Sequence, residues 1–109
     1  MGSTPLTLHE LAARVKERAQ ASADVSYTRK LMDRGIAHCA KKLGEEAVEM
    51  AIAAIAEDRN RVIAETADLL YHLMVVLEVR GVTLAEVEAE LAQRTGKSGL
   101  EEKASRPRE

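Results

Sequence analysis

The chain has 109 residues, of which 46% are apolar and 31% are charged, proportions typical of one globular domain and not of a disordered chain. With 16 Lys and Arg against 18 Asp and Glu, the net charge of -2 argues against general attraction to nucleic acid or to an anionic membrane. A single cysteine excludes an intrachain disulfide framework and a thiolate zinc cluster. We therefore expect a single, soluble, cytoplasmic domain over residues 1–109, with a polar C-terminal tail over 96–109.

Helices are predicted from the start of the chain, because Gly, Pro and β-branched runs are scarce. Thr7 and Glu10 fit a capping box, which predicts that the first helix begins there. The stretch 21–26 is interpreted as a loop. A short helix is expected over 27–33, ended by Gly35 as a left-handed cap.

Two long helices and a shorter one are predicted for the remainder of the chain. The first long helix is expected over 36–57, and the second over 60–80 with Asn60 as its N-cap. Gly81 lies just past the end of the second long helix. A further capping box opens the last helix, over 83–93. The sequence thus predicts an all-α protein.

Acidic residues occupy matching positions on the two long helices. On a helical wheel the first has an apolar stripe made of Ile36, Cys39, Ala40, Leu43, Ala47, Met50 and Ala54. The stripe of the second is made of Val62, Thr66, Leu69, Leu70, Leu73, Val76 and Leu77. Beside its stripe each helix carries an acidic pair three positions apart, Glu46 with Glu49 and Glu65 with Asp68. If the helices pack antiparallel through these stripes, four carboxylates converge at the edge of the core.

Clustered carboxylates repel one another, and a bound cation removes that repulsion. Oxygen ligands without histidine three positions along favour Mg²⁺, with Mn²⁺ as a substitute, over iron or zinc. His72 lies between Glu65 and Asp68 on the wheel and is either a partner of a carboxylate or a packed histidine. The alternative for the acids is that they are solvated and paired with basic neighbours such as Lys42 and Arg61.

A second copy of the chain is expected to complete the helical bundle. Several apolar residues lie off the main stripes or on the last helix, namely Ile52, Ile55, Val75, Leu84, Val87 and Leu91. Helices of this size cannot easily bury all of those side chains alone. The expected architecture is therefore an antiparallel helical bundle completed by homodimerisation, and the sequence does not decide between a dimer and a higher homo-oligomer.

Several motifs resemble one enzyme family. The run Glu45-Glu46 with Glu49, followed by Glu65 with Asp68, is similar to the EExxE and ExxD pattern of the all-α MazG-type nucleotide pyrophosphohydrolases. The pieces 26–28, 68–73 and 98–106 resemble its phosphoribosyl-ATP pyrophosphatase branch. The resemblance covers about residues 8–107, nearly the whole chain.

The resemblance implies an activity and a set of site residues. The implied reaction is hydrolysis of phosphoribosyl-ATP to phosphoribosyl-AMP and pyrophosphate, the second step of histidine biosynthesis, by attack of water between the α and β phosphorus atoms. Metal ligands would be Glu46, Glu49, Glu65 and Asp68. Glu45 and Glu46 would be catalytic, with Glu45 activating water or remaining a solvated glutamate.

Candidate substrate contacts share a hydroxyl, an aromatic ring or a positive charge near the acidic helix or in the tail. They are Ser26, Tyr27, Thr28, Arg29, Lys41, Lys42, Lys103, Ser105 and Arg106. Each candidate also has an explanation that involves no substrate. The cations can serve only the solubility of the surface, and Ser26 can serve only as a helix cap. The tail can be a frayed terminus.

Two other functions remain open at the level of sequence. One is a house-cleaning pyrophosphatase that acts on other nucleoside triphosphates. The other is a non-catalytic helical dimerisation module whose acids only bind a cation. Release of pyrophosphate in the presence of Mg²⁺ excludes the module, and comparison of nucleotides separates the two enzymes.

Overall fold

Five α-helices form the part of the chain that this computed structural model describes, residues 4–96. In chain order they are α1 (Leu8–Arg18), α2 (Tyr27–Asp33), α3 (Ile36–Ala56), α4 (Arg59–Arg80) and α5 (Leu84–Thr95). No strand occurs within residues 4–96, and the predicted all-α class is confirmed there. Among these helices, none has the length and apolar character needed to cross a membrane.

Local capping signals set most helix boundaries. The Thr7 side chain accepts a hydrogen bond from the backbone N–H three residues on at 3.1 Å, and the capping box at Thr83 has the same 3.1 Å bond. Gly81 ends α4 in the left-handed conformation, with φ 69°, as predicted. The last helix runs to Thr95, two residues beyond the expected Gln93, because no glycine or proline intervenes before residue 96.

Two predicted caps are wrong. The N-cap of α4 is Asp58 instead of Asn60, and its carboxylate accepts the Arg61 backbone N–H at 2.9 Å. Gly35 has the expected positive φ, 93°, but its ψ of 167° is extended, and it serves as the N-cap of α3. The C-cap of α2 is Arg34, in the ordinary right-handed conformation. Gly35 thus turns the chain directly from one helix into the next.

The apolar core lies where α1 and α2 meet α3 and α4. Its buried members are Val15, Leu31, Cys39, Met74 and Val75. Val75 is only 1% exposed, so the prediction that it lies off the packed face is wrong. Helix α5 has no buried residue, and His9 on α1 contacts its Glu88 carboxylate at 2.9 Å. The core therefore holds α1–α4 together and leaves α5 at the periphery.

The buried residues of the two long helices coincide only in part with the predicted stripes. In α4 the buried residues are Glu65, His72, Met74 and Val75, whereas the leucines of the predicted stripe are half-buried. In α3 the buried residues are Cys39 and Ala53, while Ala47 and Ala54 of the predicted stripe are exposed. Small and apolar residues cover much of both helices, so periodicity alone did not identify the packed face. Glu46 and Glu65 consequently lie within the contact between α3 and α4, whereas Glu49 and Asp68 are exposed.

The corrected cap provides a matched test of the fold. Asp58→Ala should lower the free energy of unfolding by about 1 kcal/mol, because one backbone N–H at the start of α4 loses its acceptor. Asn60→Ala should have little effect, since its side chain does not cap the helix. Urea denaturation of the two variants and the wild type measures the difference. Equal destabilisation by both substitutions would contradict the assignment of Asp58.

Candidate active site

Three glutamates from the two long helices form a carboxylate cluster, defined here as Glu46, Glu49 and Glu65. One oxygen of each lies within 4.8 Å of the oxygens of the other two. Glu46 and Glu49 are one turn apart on α3, and Glu65 projects from α4. Glu65 is buried and is held by an ion pair with the Arg61 guanidinium. The predicted convergence of acids from both helices is therefore present, with Asp68 outside this closest group.

Glu46, like Glu65, is largely removed from solvent, with 13% of its side chain exposed against 7% for Glu65. Its Oε2 atom is buried and has no hydrogen-bond partner among residues 4–96. Burial, then the adjacent Glu49 carboxyl group and the charge of Asp68, raise the pKa of Glu46 to about 7 against the opposing effect of Lys42. A buried carboxylate that lacks donors requires either a proton or a cation. The Oε2 atom of Glu46 is therefore suited to be a ligand of a metal ion.

His72 lies beside Glu46 without a hydrogen bond between them. Its Nε2 atom is 3.9 Å from Glu46 Oε1, and its side chain is buried. Burial, followed by the charge of Lys42, lowers the pKa of His72, which favours the neutral imidazole. The Tyr71 ring meets the imidazole edge to face at 5.0 Å. His72 is therefore a packed neutral ring whose position limits the space open to Glu46.

An open pocket of about 760 Å³ adjoins the cluster. One wall, the acidic wall, comes from α3 and α4 and consists of Glu46, Asp68, Tyr71 and His72. The facing wall, the α1–α2 wall, comes from the end of α1, the loop and the start of α2, and consists of Arg18, Ala21, Val25, Ser26, Tyr27 and Thr28. Asp68 thus lines the same space as Glu46. A pocket of this volume is large enough for a nucleotide-sized ligand.

The two walls are joined through Tyr71. Its hydroxyl and Thr28 Oγ1 are hydrogen-bonded at 2.7 Å, and Thr28 is 1% exposed. The ring of Tyr71 also stacks on Tyr27 with centroids 6.4 Å apart. Tyr27 itself is 57% exposed and lines the pocket. Tyr71 also packs against the apolar core.

The remaining predicted contacts are distributed around this pocket. Ser26 is buried and caps α2, accepting the Arg29 backbone N–H at 3.1 Å. The Arg29 guanidinium pairs with Asp33 at 2.9 Å and donates to a backbone carbonyl. Lys42 pairs with the half-exposed Glu45 at 3.4 Å, and Lys41 is exposed. The predicted contacts Lys103, Ser105 and Arg106 lie outside the described residues.

Sequence reasoning missed Arg18. A cation in the last turn of a helix is ordinarily explained by its favourable interaction with the helix dipole. Nothing in the sequence pattern indicates that α1 ends at the mouth of a pocket, because that depends on packing against residues 68–72. The only hint in the sequence is that Arg18 precedes the Ser26-Tyr27-Thr28 motif by eight residues, which is close enough along the chain for the two to lie near each other.

The buried Glu46 carboxyl group predicts the pH dependence of the metal-free protein. Its pKa of about 7 lies above the ordinary value of 4.5. At a pH between these two pKa values, the folded chain therefore holds a proton that the unfolded chain releases. Rising pH should therefore destabilise the wild type across this window. The Glu46→Gln variant lacks this titrating group. The free energy of unfolding of the variant, relative to that of the wild type, should therefore be higher at pH 8 than at pH 5. The difference should be a few kcal/mol at most, since one pKa unit corresponds to about 1.4 kcal/mol.

Urea denaturation in EDTA at the two pH values measures this difference. Glu45→Gln is the matched control, because the neighbouring Glu45 side chain is 48% exposed and should show a far smaller dependence on pH. A stability difference between Glu46→Gln and the wild type that stays constant with pH would contradict the environment described for Glu46.

Comparison with known proteins agrees with this geometry. Residues 8–95 match the family model described as phosphoribosyl-ATP pyrophosphohydrolase. Phosphoribosyl-ATP pyrophosphatase 1 of Rhodopseudomonas palustris is 63% identical over 103 residues, which cover 94% of this chain and 96% of the relative. The phosphoribosyl-ATP pyrophosphatase of Azorhizobium caulinodans is 60% identical over 108 residues, 99% of each chain. That of Paracoccus denitrificans is 51% identical over 105 residues, 96% of this chain and 97% of the relative. Matched over nearly its whole length, the chain belongs to the phosphoribosyl-ATP pyrophosphohydrolase family.

Proposed function

We propose that this chain is a cytoplasmic enzyme that hydrolyses phosphoribosyl-ATP to phosphoribosyl-AMP and pyrophosphate, the second step of histidine biosynthesis. Membership of the family supports the substrate and the reaction. The observation that carries the proposal is the buried, unpartnered Oε2 atom of Glu46, which lies in a carboxylate cluster and beside a nucleotide-sized pocket. A solvated acidic face has no reason to hold such an atom.

The carboxylate cluster is the proposed metal site, with Mg²⁺ as the cofactor and Mn²⁺ as a substitute. Glu46, Glu49 and Glu65 would hold the ion, and Asp68 would complete the set from the pocket side. An all-oxygen donor set suits these hard cations. When bound, the cation supplies positive charge that stabilises the developing charge on the phosphate oxygens.

Glu45 and Lys42 are proposed to act on the water and the phosphates. The reaction forms a bond from the water oxygen to phosphorus, breaks the bond to the oxygen that bridges the α and β phosphorus atoms, and releases a proton. Glu45 is solvent-accessible and next to Glu46, so its carboxylate can orient the water and accept that proton. Lys42, already paired with Glu45, and the exposed Lys41 supply positive charge to the phosphates.

The α1–α2 wall is proposed to bind the nucleoside part of the substrate. The exposed ring of Tyr27 offers a surface on which adenine can stack. Ser26, Thr28 and Arg29 contribute by fixing the start of α2 and the position of the Tyr27–Tyr71 pair. Lys103, Ser105 and Arg106 stay proposed phosphate contacts.

The assembly is proposed to be an antiparallel helical bundle completed by a second copy of the chain. Residues 46 and 49 on α3 approach residues 72 and 65 on α4, an inverse order that supports antiparallel packing. On α3 the apolar side chains Val48, Ile52 and Ile55 recur at helical spacing and are exposed, Ile55 to 88%. A contiguous exposed apolar stripe is typical of an interface.

The cluster predicts activity that depends on the metal. The wild type should release pyrophosphate from phosphoribosyl-ATP with Mg²⁺ or Mn²⁺ and lose this activity in excess EDTA. Glu46→Gln and Asp68→Asn should each lower kcat by roughly 10²-fold or more, because each keeps the shape and removes a charge needed to hold the cation. Pyrophosphate release and unfolding are measured on the same preparations, and a variant that loses activity only by unfolding would contradict the site.

Comparison of substrates separates the proposed function from its alternatives. Phosphoribosyl-ATP should give a much higher kcat/KM than ATP or other nucleoside triphosphates. Equal values across the panel would favour a general nucleotide pyrophosphatase, and no release of pyrophosphate from any nucleotide would favour a non-catalytic module.

The exposed apolar stripe on α3 predicts a homodimer or a higher homo-oligomer. Ile52→Glu and Ile55→Glu should weaken self-association, because each places a charge in an otherwise apolar contact. Leu6→Glu is the matched control, because Leu6 is an exposed apolar residue that precedes α1 and is not part of the α3 stripe. Light scattering after size-exclusion chromatography measures the mass of each variant. A wild type that is monomeric at micromolar concentration would contradict the proposal.

A further inference from the structure

Arg18 is a pocket-lining cation whose side chain is not engaged by the rest of the described chain. It lines the pocket on the α1–α2 wall, and its guanidinium makes no ion pair or hydrogen bond with any residue in 4–96. Arg29 and Arg61, by contrast, each bind at least one carboxylate. An unpaired guanidinium at a pocket is available to an anionic ligand.

The backbone of Arg18 is held in place although its side chain is free. The Ser26 hydroxyl donates a hydrogen bond to the Arg18 carbonyl at 2.9 Å. The next residue, Ala19, is buried, and its carbonyl accepts the Arg29 guanidinium at 3.0 Å. These bonds tie the end of α1 to the start of α2. Arg18 is thereby presented from a fixed point on the α1–α2 wall.

Arg18 and the acids line different walls of the same pocket. Arg18 belongs to the α1–α2 wall, whereas Glu46 and Asp68 belong to the acidic wall. Burial raises the pKa of Tyr71, while its hydrogen bond with Thr28 and, to a smaller extent, the charge of Arg18 lower it. The guanidinium is thus presented to the pocket from the wall that does not carry the proposed metal ligands.

The proposed substrate has two anionic ends that match this separation. Its triphosphate belongs at the cluster, whereas its additional ribose, attached to the base, carries a monophosphate that ATP lacks. We propose, building on the proposed function, that Arg18 binds the phosphate of this phosphoribosyl group and so selects phosphoribosyl-ATP over ATP. A guanidinium binds a phosphate through two parallel N–H donors, which a lysine cannot reproduce.

The products of the reaction allow binding at the two anionic ends of the substrate to be measured separately. Phosphoribosyl-AMP retains the phosphoribosyl phosphate, AMP lacks it, and pyrophosphate comes from the cluster end. With Mg²⁺ present, Arg18→Ala should weaken binding of phosphoribosyl-AMP roughly 10- to 100-fold, the range for a lost charge-assisted contact, and leave AMP and pyrophosphate unchanged. KM for phosphoribosyl-ATP should rise by a similar factor with a smaller change in kcat, because this phosphate does not react.

Matched variants exclude a structural explanation. Arg14→Ala removes the same side chain one turn earlier on α1, where it does not line the pocket, and should bind all three ligands like the wild type. Arg18→Lys should bind phosphoribosyl-AMP with intermediate affinity. Melting temperatures of all variants should agree with the wild type, and Arg18→Gln replaces Arg18→Ala if the latter is unstable.

Calorimetric binding and pyrophosphate release give separate outcomes. Unchanged binding of phosphoribosyl-AMP by Arg18→Ala would overturn the role of Arg18, as would an equal loss of affinity for AMP or pyrophosphate. Failure of the wild type to release pyrophosphate from phosphoribosyl-ATP would overturn the proposed function instead. In that case calorimetry still tests whether Arg18 distinguishes phosphoribosyl-AMP from AMP.

Discussion

The carboxyl group of Glu46 lies where α3 packs against α4, with one oxygen buried and without a donor among residues 4–96. Removing a carboxylate from water without compensation destabilises the folded state, and Glu49 and Asp68 add repulsion to that cost. Protonation of Glu46 offsets this free-energy cost in the metal-free chain, and a bound divalent cation would offset the cost more fully. The packing of the two long helices is therefore tied to the chemistry that the site is proposed to perform.

The distribution of apolar packing allows the helices to tolerate this strain. The buried core, from Val15 to Val75, lies where α1 and α2 cover the long helices. Beyond the cluster, towards residues 57–58, Ala53 is the only buried apolar residue described, and exposed isoleucines continue along the surface. Stability thus comes from one end of the molecule, while the acids occupy a region with little apolar packing of its own. The proposed cation and partner surface would therefore contact a part of the molecule outside the apolar core.

Much of the fold follows from local sequence signals, whereas the packed faces do not. The capping boxes at Thr7 and Thr83 and the glycine at 81 define helix ends by interactions within a few residues, and these predictions are confirmed. Asn60 and Asp58 are both good N-caps, so composition could not choose between them. The spacing of the acids predicted their convergence, but the burial of Glu65 and His72 depends on how α3 and α4 rotate about their axes. That rotation is set by tertiary contacts, which periodicity on alanine-rich helices does not specify.

A short chain of contacts joins the α1–α2 wall of the pocket to the acidic wall. Thr28 on α2 holds the Tyr71 hydroxyl, Tyr71 packs on the edge of His72, and His72 lies against Glu46. Each contact fixes the next, because Thr28 is fully enclosed and Tyr71 has few alternative positions once bonded to it. The order of α2 therefore bears on the placement of a carboxylate in the cluster, although no residue of α2 belongs to it. A base that stacked on Tyr27, as proposed, would contact the same aromatic pair, and its binding would then be linked through Tyr71 and His72 to the position of Glu46.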